Sequence, residues 1–79
     1  MTIPRSLALP GPRHKSFVIK IKKVSKKVLD KDSVHADYDQ EGQVIRIPRS
    51  GSEGERLFYL YHELGHALED YRLWLLQEL

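Results

Sequence analysis

Apolar and polar positions alternate through the first half of the chain and then give way to one long helical period. From Ser16 to Val24, Phe17, Ile19 and Ile21 share one face while Lys20 and Lys22 take the other, which predicts a half-buried strand. Lys23, Lys26, Lys27 and Lys31 continue into a turn or short irregular helical piece ending near Asp30 to Ser33. Two further strands follow, over 34–39 and 43–47, joined by the turn Asp39-Gln40-Glu41-Gly42, with the glycine placed where a hairpin needs a left-handed residue. The first directs Val34, Ala36 and Tyr38 inward and His35, Asp37 and Asp39 outward; the second directs Ile45 and Ile47 inward. Pro48 cannot donate to a ladder, so 43–47 reads as an edge strand.

Ser52 with Glu55 forms a capping box, and nothing breaks the helical pattern from Glu55 to Leu79. At 1.5 Å per residue such a helix is about 37 Å long. A domain this small is about 30 Å across, so the C-terminal end is expected to overhang or to meet a partner or a second copy. Projection at 100° per residue puts Leu57, Leu60, Tyr61, Leu64, Leu68, Tyr71 and Leu75 on a stripe facing the sheet. Glu55, Tyr59, His62, His66 and Glu69 fall opposite, together with the apolar Phe58, Leu73 and Leu76; Trp74 falls between the two. The expected fold is α+β, with about three antiparallel strands on one long C-terminal helix. Residues 1–15, with Pro4, Pro10, Gly11 and Pro12, lack periodicity and read as a flexible basic arm ahead of a 16–79 domain.

Composition narrows the chemistry. The 79 residues include no cysteine, so disulfides and thiolate metal sites are excluded, and any metal must rest on His and carboxylate. Leu7-Ala8-Leu9 is too short for a secretory signal and no stretch approaches a membrane span, so a soluble cytoplasmic protein with no membrane contact is expected. The net charge of +2 conceals a division: residues 1–31 hold nine Lys or Arg against the single acid Asp30, and residues 32–79 hold four against ten. The basic tract 13–31 reads either as a patch for nucleic acid or as a solvated strand whose lysines discourage edge pairing. No aromatic residue interleaves with the lysines to stack bases.

One stretch of the helix carries chemistry: His62-Glu63-Leu64-Gly65-His66, an H-E-x-x-H pattern. Residues four apart share a helix face, so two imidazoles can meet one ion, with Glu63 beside them to reach a metal-bound water without ligating. Two neutral imidazoles with an open position suit a catalytic Zn2+ site better than a closed structural one.

With these residues in view the chain resembles a minimal zincin metallopeptidase over 34–70. It is most similar to small gluzincin-like proteins and to the bacterial and phage metallopeptidases that cleave repressors. The resemblance implies that His62 and His66 bind zinc, that Glu63 is general base and then proton donor, and that the edge strand 43–47 holds an extended peptide substrate. Residues 1–33 carry no motif of that family.

Such enzymes use a third protein ligand, in gluzincins a carboxylate on a later helix, and only thirteen residues follow His66. The metzincin pattern fails because Glu69 and Arg72 stand where its Gly and third His would fall. Glu69, Asp70, His35, water or another chain remain as candidates, Asp70 also as a group that orients an imidazole. The alternative to a peptidase is a weak or inactive zincin-fold binding or regulatory protein.

Overall fold

The computed structural model describes residues 2–79 and orders them as β1 (Ser6–Pro10), a single 3-10 turn (Pro12–His14), β2 (Ser16–Val24), α1 (Lys26–Lys31), β3 (Asp37–Asp39), β4 (Val44–Pro48) and α2 (Glu53–Glu78). The strands form one sheet in the order β1-β2-β4-β3. β1 and β2 are antiparallel, β2 and β4 parallel, and β4 and β3 antiparallel. With α2 packed on one face, the architecture is the expected α+β, built from four strands in a mixed sheet. No helix among the described residues is long and apolar enough to cross a membrane.

Two expectations change here. The irregular arm over residues 1–15 gives way to β1, which pairs with β2 from Ser6↔Lys20 to Pro10↔Ser16 and turns Leu7 and Leu9 toward the core, while Ile3 is buried. Five residues between prolines are too few to show a period; the ladder with β2 is what makes them a strand. The second correction concerns 43–47. β4 lies between β2 and β3, with Ile45 and Ile47 fully buried, so it is an interior strand. Pro48 does no damage because it is the last β4 residue, opposite Val24, and the Arg49 N–H then donates to the Val24 carbonyl at 2.8 Å. The edges of the sheet are β1 and β3.

In the β3–β4 hairpin it is Gln43, at φ 55°, that adopts the left-handed conformation expected of Gly42. Ahead of α2, Gly51 at φ 108° swings the chain into the helix, and the Ser52 hydroxyl accepts from the Glu55 N–H at 3.1 Å.

α2 buries Leu60, Glu63 and Ala67, with Tyr71 and Trp74 packed half-buried on the same line. This face is rotated by about 70° from the expected stripe, taking 100° per residue. Tyr61 and Leu68, expected inside, are exposed. Apolar residues occupy most of the helix circumference, so periodicity establishes the helix without choosing its rotation. Ala67, with no exposed surface, marks where the helix comes close to the sheet.

The C-terminal end of α2 does not overhang. Trp74 and Tyr71 pack on Phe17 with ring centroids 5.5 and 5.6 Å away, and the Tyr71 hydroxyl donates to the Pro10 carbonyl. Lys15 and Arg13 reach Glu78 at 2.7 and 3.2 Å, Lys15 foremost in holding its carboxyl below the usual carboxylate range. The β1–β2 connection thus clasps the last two turns of the helix.

Gly11 belongs to this clasp because a β-carbon there would stand 2.3 Å from the Trp74 ring. Gly11→Ala is therefore expected to cost about 1–3 kcal/mol through overpacking. Urea unfolding followed by Trp74 fluorescence checks this; an unchanged midpoint would mean that the indole moves aside freely.

Candidate metal and peptide site

The rotation of α2 decides where the motif residues go. Glu63 turns toward the sheet and is only 8% exposed, whereas His62 and His66 stay exposed on the flank of the helix. The His rings have centroids 5.2 Å apart and lie nearly perpendicular, at 80°, and Phe58 stacks on His62 at 6.4 Å. Glu63 makes no hydrogen bond or ion pair among the described residues. Its oxygens are not sealed off, so the carboxylate opens to the grooves beside it rather than to a protein partner.

Glu63 opens into two adjoining grooves between α2 and the β3 side of the sheet. One, of about 500 Å3, is bordered by Ala36, Tyr38, His66, Asp70 and Leu73. The other, of about 310 Å3, is bordered by His35, Ala36, Phe58, Tyr59 and His62. Ala36 and Glu63 border both, so the small side chain at 36 leaves the gap into which the carboxylate looks. The furrow follows the β3 edge of the sheet.

The candidate third ligands border the two grooves, and each has a contact of its own. Glu69 accepts from Arg72 at 2.6 and 3.2 Å, and that hydrogen bond and charge hold its carboxyl below the ordinary range. Asp70 accepts from the Tyr38 hydroxyl at 2.6 Å and the Gln40 amide at 3.1 Å, so it ties the β3–β4 hairpin to the helix rather than orienting an imidazole. His35 lies on the helix side, not outward as expected, and stacks on Tyr59 with centroids 5.9 Å apart. It precedes β3, and Ser33 at φ 58° has already broken the alternation. Among the described residues no group of three or more His, Asp or Glu is placed to hold a metal.

The Tyr38–Asp70 link is the element that sequence reasoning missed: it joins residues 32 positions apart, and no local spacing signals it. Partial burial, then the hydrogen bond and charge of Asp70, push the Tyr38 hydroxyl far above the usual tyrosine range.

A sheet whose edge runs beside a helix carrying His-Glu-x-x-His defines a metallopeptidase-related domain. The agreement extends over most of the chain: it belongs to the Peptidase_M78 family, the IrrE N-terminal-like domain, whose profile matches residues 18–73. The match begins within β2, well ahead of the 34–70 stretch that carries the resemblance in sequence. No curated protein and no solved structure matches the chain.

Removing the Tyr38 hydroxyl tests the link. Tyr38→Phe is expected to lose about 1.5–3 kcal/mol at neutral pH, the usual worth of a hydrogen bond to a charged group. Because the folded pKa lies above the unfolded value near 10, the wild-type advantage should be constant below about pH 10 and shrink above it. Chemical denaturation at neutral and alkaline pH gives the comparison; a difference that persists undiminished above that pH would contradict the assignment.

Proposed function

We propose that the chain is a zinc-dependent peptidase domain acting on an extended peptide laid along β3. The observation that carries this reading is Glu63: a nearly buried carboxylate without a partner, between two grooves and beside two exposed imidazoles four residues apart. The donors fit a zinc ion in type and spacing, with His62 and His66 as the residues that would hold it. Zinc bound there supplies Lewis acidity, polarising a peptide carbonyl and making water a stronger acid.

The chain's own residues supply the rest. β3 is a sheet edge, so a peptide can add to it as a further strand through main-chain hydrogen bonds. This moves the substrate strand from 43–47 to 37–39. Leu73 and Phe58, at the two ends of the furrow, offer apolar contact to substrate side chains. Glu63 accepts the proton of the attacking water as the new C–O bond forms, then returns it to the amine nitrogen as the C–N bond breaks. The resemblance to repressor-cleaving metallopeptidases makes an exposed loop of a regulatory protein a substrate to try first.

A second reading is favoured by one observation: among the described residues no third ligand is grouped with His62 and His66, while Glu69 and Asp70 already accept hydrogen bonds from other residues. On it, the domain is a zincin-fold regulatory protein whose metal site is completed by a partner or second copy. That partner would also cover the exposed Phe58, Tyr61, Leu68 and Leu76 of α2.

Competition with a chromophoric chelator decides between them together with a peptide assay. The peptidase reading expects tight one-to-one zinc binding that falls at least 100-fold in His66→Ala, and hydrolysis that disappears in Glu63→Gln with zinc retained. Weak zinc binding, unchanged in His66→Ala, would sink it. Peptide capture without cleavage in the zinc-loaded wild type would favour the regulatory reading.

A further inference from the structure

We infer that the lysine-bearing side of β2, remote from the motif, is a binding surface for the phosphate backbone of duplex nucleic acid. The sequence tract 13–31 is not this surface as it stands. Arg13 and Lys15 are drawn away to Glu78 by the helix clasp. In their place the fold brings Arg5 beside Lys20, Lys22 and Lys23, where residues 2–5 run along the second half of β2 and the Ile21 N–H donates to the Arg5 carbonyl at 2.8 Å. These four cations border a groove of about 770 Å3, with Ile3 and Val24 among its apolar lining.

Three observations point to an anionic occupant. First, none of the four cations forms an ion pair among the described residues. No acid borders this groove, and of the acids nearest Lys22 on its other side, Asp32 and Asp37 are taken by Arg46, opposite Lys22 in the ladder, which leaves Asp39. Second, Lys20 sits where β2 is paired on both sides, with β1 and with β4, so edge protection does not account for it; beyond Ile21 the strand pairs with β4 alone and its other side opens into the groove. Third, Lys20 and Lys22 stand on the outer face about 6.6 Å apart, at 3.3 Å per residue, while Arg5 and Lys23, on the other face by alternation, border the same groove from its helix side. Gathering like charges without acids is unfavourable in the free protein and becomes favourable once an anion neutralises them.

The surroundings select nucleic acid over a lipid surface. Membrane association needs large apolar side chains next to the cations. Here the large exposed side chains Phe58, Tyr61, Leu68 and Leu76 are on α2, whereas beside the cations stand only Val18, on the same face as Lys20, and the groove lining Ile3, Pro4, Ile21 and Val24, with no aromatic or leucine among them. With no aromatic ring bordering it, the groove has no stacking platform for unpaired bases, which favours the duplex and leaves sequence unread.

Fluorescence anisotropy of a labelled random-sequence duplex with the full chain is the test. With four phosphate contacts, log K should fall against log salt with a slope of about −3 to −4 between about 50 and 200 mM. Lys20→Gln with Lys22→Gln should weaken binding at least ten-fold and reduce the slope by about 2. Arg72→Glu, equal in net charge change and placed on the motif side, should leave both intact. Several outcomes would overturn the proposal: equal losses in the two variants, tighter binding to phosphatidylserine-containing vesicles than to the duplex, tighter binding to single strands, or lysine-dependent self-association in place of nucleic-acid binding.

Discussion

Everything functional in this domain depends on the rotation at which α2 lies on its sheet. Ala67 is the contact that permits close approach, with Leu60 one side of it along the helix and Tyr71 and Trp74 on the other. A helix with apolar residues on most of its surface could rest on a sheet in more than one way, since burial of apolar area is not directional. Directional contacts near its C-terminal half remove that freedom. Asp70 is held by Tyr38 and Gln40, Tyr71 by Pro10, Trp74 by the space at Gly11, and Glu78 by Lys15 and Arg13. These positions recur at helical spacing, so together they act on one side of the helix and set its angle.

That angle gives the motif its character. The rotation of about 70° puts Glu63 at the rim of the core and leaves the two imidazoles at the groove mouths. A carboxylate in this position has the sheet on one side and the grooves on the other, which is the placement that the proposed proton transfer uses. The family relationship to a metallopeptidase-related domain accords with that arrangement. Asp70 meanwhile accepts from Tyr38 and Gln40 of the β3–β4 hairpin, so the contacts that hold the helix at this angle use its carboxylate.

The charges divide in space as they do along the chain. Glu63, Glu69 and Asp70 gather beside β3, and Arg5, Lys20, Lys22 and Lys23 gather beside β1 and the end of β2. The sheet separates the two, with β4 between them carrying Arg46, whose charge is spent on Asp32 and Asp37. The groove proposed for nucleic acid and the furrow proposed for peptide share no residue, so the two proposals do not exclude one another.

Much of this was legible in the residues themselves. Alternation marked β2 and the β3–β4 hairpin, the Ser52 cap marked the start of α2, and the spacing of His62 and His66 placed both imidazoles on one helix flank. These are local properties, set by periods of two and 3.6 residues and by side chains within one turn. Strand order was not local: Pro48 suggested an edge because a proline donates no ladder bond, but at the last position of β4 no bond is lost. β1 was hidden because five residues become a strand only by pairing with β2. The burial of Glu63 and the capture of Asp70 by Tyr38 were decided by tertiary structure alone, since the rotation of a broadly apolar helix is chosen by the surface it meets.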